Sequence, residues 1–81
     1  MKVVVKLFAG ARELVGKDEI EVELSPGATI GQLRAEIVRQ YAKSQPLVAH
    51  AMFALDATYC SDQAVIPENV VVACIPPVSG G

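Results

Sequence analysis

The sequence predicts an α+β domain in which a mixed β-sheet curls around one main helix. Three observations predict it: two alternating segments at the start of the chain, an apolar stripe at helical spacing in the middle, and a β-branched run near the end. The 81 residues are enough for one domain. The hydrophobic fraction of 52% is sufficient for a core without disulfides.

The first two alternating segments are predicted strands that form a hairpin. In KVVVKLFA, three apolar residues share one face, and the other face carries two lysines together with Phe8. The segment EIEVELS alternates more regularly, with apolar residues on one face and three glutamates toward water. Between them, GARELVGKDE predicts an irregular connection, in which Gly10 and Gly16 supply permissive backbone.

The middle segment, SPGATIGQLRAEIVRQYA, carries a helix start signal. Pro26 and Gly27 form a turn, Thr29 caps the helix, and Gln32 completes a capping box. Pro46 is expected to end the helical region. The polar residues of the segment, including Arg34, fall mostly outside the apolar stripe, which consists of Ile30, Leu33, Ile37, Val38 and Tyr41.

The second half of the chain predicts shorter strands. AMFALD is a short strand, and a brief strand follows near Tyr59. VVVACIP is apolar on both faces, which is typical of a central strand or of a strand partly covered by another protein. With the first and last strands as parallel neighbours, this order is the β-grasp, or ubiquitin-like, arrangement. We therefore expect a β-grasp domain over residues 1–76 and an extended, flexible Gly-Gly tail over residues 77–81.

Composition and charge argue against several function classes. A net charge of −2 disfavours nucleic acid and anionic membranes as partners, and two tyrosines and two phenylalanines are too few for a base-stacking platform. No apolar stretch approaches the roughly 20 residues that span a bilayer, and charged residues interrupt the amino-terminal segment. Cys60 and Cys74 are expected to be reduced, packed thiols. The sequence therefore predicts a small soluble cytoplasmic protein.

The familiar catalytic and metal-binding patterns are missing from the sequence. His50 is the only histidine and is expected on the surface or in a satisfied core position. No Cys-x-x-Cys, His-x-x-x-His or carboxylate cluster has the spacing of metal ligands, so no metal is expected. Inert packing is favoured over nucleophilic chemistry for Cys60 and Cys74, although a redox role for them stays open. Catalysis by side chains of this chain, and a permanently bound cofactor, are therefore disfavoured.

The ending IPPVSGG is the remaining candidate for chemistry. Pro76 and Pro77 donate no backbone hydrogen bonds, so they end sheet pairing and favour an extended exit. The last five residues then reach about 17 Å from the domain. Gly80 and Gly81 allow this thread into a narrow channel with the α-carboxylate in front. The carboxylate becomes an acyl donor only after activation, for instance by transfer of AMP from ATP; the alternative is a frayed chain end.

Three stretches of the chain resemble the small subunit of molybdopterin synthase, the MoaD family: LFAGARELVG, PGATIGQLRAEI and the final IPPVSGG. The resemblance as a whole runs from Lys6 to Gly81. Ubiquitin-like modifiers and the thiamine-pathway sulfur carrier share only the Gly-Gly ending, whereas the preceding Pro-Pro-Val-Ser resembles this family in particular. The resemblance implies a sulfur carrier that needs no catalytic side chains of its own and acts as the sulfur-donor subunit of a sulfurtransferase complex.

The resemblance also implies partners and a reaction. An E1-like (MoeB-like) adenylyltransferase uses ATP to activate the Gly81 carboxylate, which a sulfur donor converts to a thiocarboxylate. The tail then enters the large synthase subunit, where sulfur passes to cyclic pyranopterin monophosphate on the way to molybdenum cofactor. A heterotetramer of two small and two large subunits is implied as well.

The resemblance assigns roles to individual residues. Gly81 matches the activated carboxylate position, and Gly80 matches a position that must be small. Phe8 and Arg12 match the subunit interface, and Ile75 matches a hydrophobic contact before the tail. The rest of the partner contact comprises Pro76, Pro77, Val78 and Ser79.

Two departures from the family pattern leave loop geometry and partner specificity open. Asp56 takes an asparagine position in ALDATY, and IPENVVV replaces an Asp-Gly-Asp-like turn. Pro67 still favours a turn there, and Asn69 tolerates a left-handed backbone, so we expect this turn to persist.

Three other functions stay open at this point. A ubiquitin-like modifier would join Gly81 to target lysines and produce isopeptide adducts. A sulfur carrier for thiazole or tRNA thiolation would fail to complement a strain lacking the synthase small subunit. A plain interaction domain would keep its function after deletion of Gly80 and Gly81.

Overall fold

The structure, a computed structural model, describes residues 1–77, so the predicted contacts of Val78, Ser79, Gly80 and Gly81 lie outside the described residues. Within this range five strands and three helices follow one another, with one 3₁₀ turn between the second and third helices. Their bounds are β1 Lys2–Leu7, α1 Ala9–Val15, β2 Glu19–Glu23, α2 Ile30–Gln40, the 3₁₀ turn Ala42–Ser44, α3 Gln45–Val48, β3 Met52–Leu55, β4 Thr58–Cys60 and β5 Val71–Ile75.

The five strands form one mixed sheet in the order β2-β1-β5-β3-β4. β1 runs antiparallel to β2 and parallel to β5, and β3 runs antiparallel to both β5 and β4. Val4 lies beside Val71 in the parallel pair, so the first and last strands meet at the centre of the sheet. The predicted mixed sheet and the central place of the last strand are confirmed.

Helix α2 packs across one face of this sheet and closes the core. Ile30, Leu33 and Ile37 are fully buried, as the predicted stripe requires. The capping box is also confirmed: the Gln32 amide donates to Thr29 Oγ1 at 3.3 Å, and the Thr29 amide donates to Gln32 Oε1 at 2.8 Å. From the sheet, the buried residues are Val3, Val5, Leu7, Ile20, Val22, Phe53, Val72 and Cys74.

The connection between β1 and β2 was expected to be irregular, and this expectation is wrong, because residues Ala9–Val15 form helix α1. Ala11, a residue of this helix, is buried and supplies the apolar contact that so short a helix needs. Gly16, at φ 82°, ends α1 with its amide bonded to the Arg12 carbonyl. Gly10 instead permits close packing, because a Cβ there would lie 2.6 Å from Leu47 Cδ1.

Pro46 does not end the helical region, contrary to expectation. Helix α2 already ends at Gln40, because Tyr41 leaves helical geometry at φ −126° and ψ 71°. Pro46 instead lies in the first turn of α3, where its missing amide costs no helical hydrogen bond.

Arg34 is the third difference from the expected pattern, because its side chain is only 19% exposed although it falls outside the apolar stripe. Its Nη1 donates to the carbonyls of Val48 and Ala51, each at 2.8 Å. The guanidinium carbon lies 4.9 Å from the centroid of the Phe53 ring, within cation–π range. Arg34 thereby fixes α2 to the segment that enters β3.

Candidate partner-binding face and tail root

The face of the sheet opposite α2 carries an apolar strip. The strand registers place three glutamates of β2 and two lysines of β1 at one side of this face. Toward β4 the face becomes apolar, and Tyr59, Met52 and Val71 are 61%, 50% and 48% exposed. Contiguous exposed apolar surface is typical of a protein-binding site. We call this surface the open face; its apolar residues are Val4, Val71, Ala73, Ile75, Met52, Ala54 and Tyr59.

The root of the predicted tail lies at one end of the open face. Ile75 is the last residue of β5 and pairs with Met52, the first residue of β3. Pro76 is buried and Pro77 is exposed. Neither proline has an amide to donate, which explains why pairing stops after Ile75. The chain therefore leaves the sheet from its central strand, and the domain boundary at residues 76 and 77 stays a prediction.

Two of the predicted interface residues, Phe8 and Arg12, are near the start of the chain. Phe8 lies beside this tail root, and Arg12 lies one helical turn further along α1. The Phe8 amide donates to the carbonyl of Cys74, the residue before Ile75, at 3.3 Å. The Phe8 side chain is 43% exposed rather than tucked under the following segment. Arg12 is exposed on α1, with its Nε 3.7 Å from an Asp18 carboxylate oxygen. The fold thus brings Phe8 to Ile75, and their predicted role in partner binding stays a prediction.

Tyr59, Met52 and Val71 are exposed apolar residues that the sequence-based site prediction omitted. Tyr59 pairs with Ala54 across the β3–β4 hairpin, and Met52 pairs with Ile75. The alternation of MFAL could have indicated that Met52 is exposed. Because Phe53 is buried in the core, its neighbours along the strand point to the opposite face. Sequence alone did not supply the register that carries this alternation across the hairpin.

The two cysteines are free and lie on either side of β3. Phe53 pairs with Cys60 on one neighbouring strand and with Cys74 on the other. The cysteines are therefore two strand spacings apart, roughly 9.6 Å, which is beyond the reach of a disulfide. The predicted packing of Cys74 is confirmed, because its side chain is buried, and this burial raises the pKa of the thiol to about 11. Cys60 is half-buried, and its thiol donates to the Thr58 carbonyl at 3.3 Å.

The two loops that depart from the expected family pattern both use left-handed backbone. Asp56 and Ala57 have φ of 48° and 63°, as required for the tight turn between β3 and β4. Asn69 has φ 59°, which confirms that the turn before β5 is kept. These turns fix the ends of the strands on the open face.

Other classes of site have little support in the part of the chain that the structure describes. Within residues 1–77, no three His, Cys, Asp or Glu side chains lie close enough together to hold a metal ion. His50, which was expected on the surface or in a satisfied core position, is exposed. None of the helices of this range is long and apolar enough to cross a membrane. Within residues 1–77 the structure places an exposed apolar face beside the root of the predicted tail.

Comparison with known proteins gives a consistent result. The ThiS family model matches residues 5–81. The molybdopterin synthase sulfur carrier subunit of Arabidopsis thaliana is 31% identical over 81 residues, which are all of this chain and 84% of that protein.

Solved structures share the fold over nearly the whole chain. A candidate molybdopterin converting factor subunit 1 from Pyrococcus furiosus is 34% identical with a TM-score of 0.84, and the match covers 96% of this chain and 99% of that one. The modifier SAMP1 from Haloferax volcanii has a TM-score of 0.86 at 22% identity, with all of both chains covered, and shows the fold alone. A Helicobacter pylori chain from a complex of subunits 1 and 2 of molybdopterin-converting factor has a TM-score of 0.69 at 20% identity, with all of both chains covered.

Proposed function

Because this chain belongs to the ThiS family, we propose that it is the sulfur carrier subunit of a molybdopterin synthase and that the Gly81 carboxylate carries the sulfur. The observation that carries this proposal is that the similarity runs through residue 81 and therefore includes the Gly-Gly ending. The relative from Arabidopsis thaliana is named for this function.

The proposed chemistry takes place at the terminal carboxylate. One carboxylate oxygen attacks the α-phosphorus of ATP, which forms an acyl-adenylate and releases pyrophosphate. A sulfur nucleophile then attacks the acyl carbon and displaces AMP, and this step leads to a thiocarboxylate in which sulfur replaces one oxygen. The thiocarboxylate sulfur then displaces an oxygen substituent from a carbon of cyclic pyranopterin monophosphate, which joins the two molecules by a thioester. Water cleaves the acyl–sulfur bond, so the sulfur stays on the pterin and the Gly81 carboxylate is regenerated.

The fold supports a division of labour between this chain and its partners. We assign catalytic side chains and ATP binding to the partners, an E1-like adenylyltransferase and the large synthase subunit. This chain contributes the carboxylate and a docking surface, in which Phe8 and Ile75 flank the tail root. The complex of subunits 1 and 2 from Helicobacter pylori supports a pairing of this kind. We place the reaction in the cytosol, where free thiols such as Cys60 and Cys74 stay reduced.

The proposal is tested by the intact mass of the chain after incubation with ATP, a sulfide source and the E1-like enzyme of the same organism. We expect a gain equal to the replacement of one oxygen by sulfur, and no gain when Gly81 is deleted. The deletion variant should unfold at the wild-type temperature, because the residues of the buried core all lie within residues 3–74. An unchanged mass for the wild-type chain, with an enzyme active on another carrier, would overturn the proposal.

Two further readouts separate this function from its alternatives. A synthase subunit restores molybdenum cofactor in a strain that lacks its own small subunit, whereas a carrier for thiazole or tRNA thiolation does not. Adducts between Gly81 and cellular lysines, without a thiocarboxylate, would instead identify a protein modifier.

A further inference from the structure

A trough of about 790 Å³ lies on the open face between β4 and the turn that precedes β5. Its floor is low because Ala54 and Ala73, which are cross-strand partners, are both small. Tyr59 pairs with Ala54 from the other side and lines the trough with a side chain that is 61% exposed. Ile75 lines the end beside the tail root. The trough is therefore an apolar seat that is continuous with the start of the tail.

The opposite end of the trough is acidic. Asp56, in the turn between β3 and β4, and Glu68, in the turn before β5, both line it and are both exposed. Neither carboxylate is in an ion pair with any residue of the described range 1–77, whereas Glu21 and Glu36 each pair with a nearby cation. Two carboxylates that converge on an apolar seat without a cation of their own favour a cationic group from a partner.

We infer that the trough receives an extended segment of the large synthase subunit that places one apolar side chain over Ala54 and Ala73. The same segment places a lysine or arginine beside Asp56 and Glu68. Asp56 lies in the turn after the end of β3 at Leu55, and Glu68 lies in the turn before β5. The cation of the partner segment therefore lies on the side of its apolar anchor that faces away from the tail root. This inference rests on the proposed function and adds a selectivity element to it.

The inference is tested by calorimetric titration of the full chain with the large subunit of the same organism. Asp56→Asn with Glu68→Gln removes both charges and keeps both shapes, and asparagine tolerates the left-handed backbone at position 56. We expect this double variant to bind about fivefold to tenfold more weakly, with a smaller dependence of the dissociation constant on salt. Glu19→Gln with Glu21→Gln, on the β2 side of the same face, changes net charge equally and is expected to bind within about twofold of wild type.

A second variant tests the apolar seat. Ala73→Leu fills the trough from its floor and should weaken binding more than about tenfold, while Ala35→Leu on the exposed side of α2 adds the same volume elsewhere and should not. The melting temperature of each variant, measured by circular dichroism, shows whether it is folded.

These titrations, together with the mass assay, separate the inference about the trough from the proposed function as a sulfur carrier. Wild-type affinity for the Asp56→Asn/Glu68→Gln chain, or equal losses for it and for its β2 control, would overturn the inference. The mass assay shows separately whether these chains still become thiocarboxylates. A wild-type chain that accepts sulfur while the trough variants bind normally would therefore sink the inference alone, and a wild-type chain that neither accepts sulfur nor binds would sink both.

Discussion

Arg34 and Asp62 form a two-point ion pair between helix α2 and the segment after β4. Nη2 of Arg34 lies 2.7 Å from Oδ1 of Asp62, and Nε lies 3.3 Å from Oδ2. The same guanidinium donates to the carbonyls of Val48 and Ala51. Because Ala51 precedes β3, and β3 begins opposite Ile75, one side chain connects three segments close to the tail root.

Replacement of Arg34 by methionine should lower the free energy of unfolding by about 2 to 3 kcal/mol. Methionine keeps part of the apolar packing but leaves the carbonyls of Val48 and Ala51 without their charged donor. Urea denaturation monitored by circular dichroism measures this loss. The matched control is Arg39→Met, which removes an exposed pair with Glu36 and should cost less than about 1 kcal/mol. Equal losses in the two variants would show that Arg34 is an ordinary surface residue.

Replacement of Ala57 by glycine should raise the free energy of unfolding by about 0.5 to 1 kcal/mol. Ala57 has φ 63°, a left-handed conformation that costs an L-residue about 1 to 2 kcal/mol and costs glycine little. Part of the gain is lost because glycine has more freedom in the unfolded chain. Thermal denaturation measures the change. Ala35→Gly within α2 is the control and should be destabilising by about 1 kcal/mol. A loss of stability in both glycine variants would contradict the backbone strain assigned to Ala57.

Replacement of Phe8 by aspartate should weaken binding to the large synthase subunit by about 2 kcal/mol or more while the domain stays folded. Phe8 is 43% exposed, so its side chain contributes little to the core, yet its amide is bonded beside the tail root. Buried aromatic anchors at interfaces typically carry free energies of this size. Calorimetric titration measures the affinity, with Leu14→Asp on the exposed side of α1 as the control. If the Phe8 variant binds with wild-type affinity, Phe8 does not contribute to the interface.

The buried Cys74 thiol predicts a loss of stability in alkaline solution. Its pKa is raised from 9.0 in the unfolded chain to about 11 in the fold, because burial disfavours the thiolate. The stabilisation is complete below pH 9, and it is lost as the pH rises toward 11, because the unfolded chain releases the proton first. The full loss is about 3 kcal/mol.

Comparison of the wild-type chain with Cys74→Val isolates this effect, since other groups that titrate at high pH are common to both. The difference in unfolding free energy between the two chains should change across pH 9 to 11 in favour of the variant. A difference that is constant with pH would contradict the raised pKa of Cys74.

The parts of the fold that local sequence determines were predictable. The capping residues Thr29 and Gln32 and the stripe beginning at Ile30 depend on neighbours three or four positions apart, and the structure has them as expected. The apolar character of VVVACIP similarly indicated a strand that is central or partly covered by another protein, and β5 lies between β1 and β3.

The parts that depend on distant residues were not predictable. Arg34 follows the polar pattern of a helix, and only the approach of residues 48–51 turns it into a partly buried donor. Gly10 suggests a turn in sequence, whereas its role is to admit Leu47 against α1. The assembly of Met52, Ile75 and Tyr59 on one face likewise required the strand registers, which no local pattern in the chain contains.

The central position of β5 has a mechanical consequence for the tail. Any pull on residues beyond Ile75 is transmitted along β5, which is paired with β1 on one side and with β3 on the other. Such a load acts along the strand, so the hydrogen bonds to both neighbours must be sheared together instead of being opened one at a time from an edge. A partner that draws the tail into a channel, or withdraws from it, therefore strains the domain at the place where it is best able to resist.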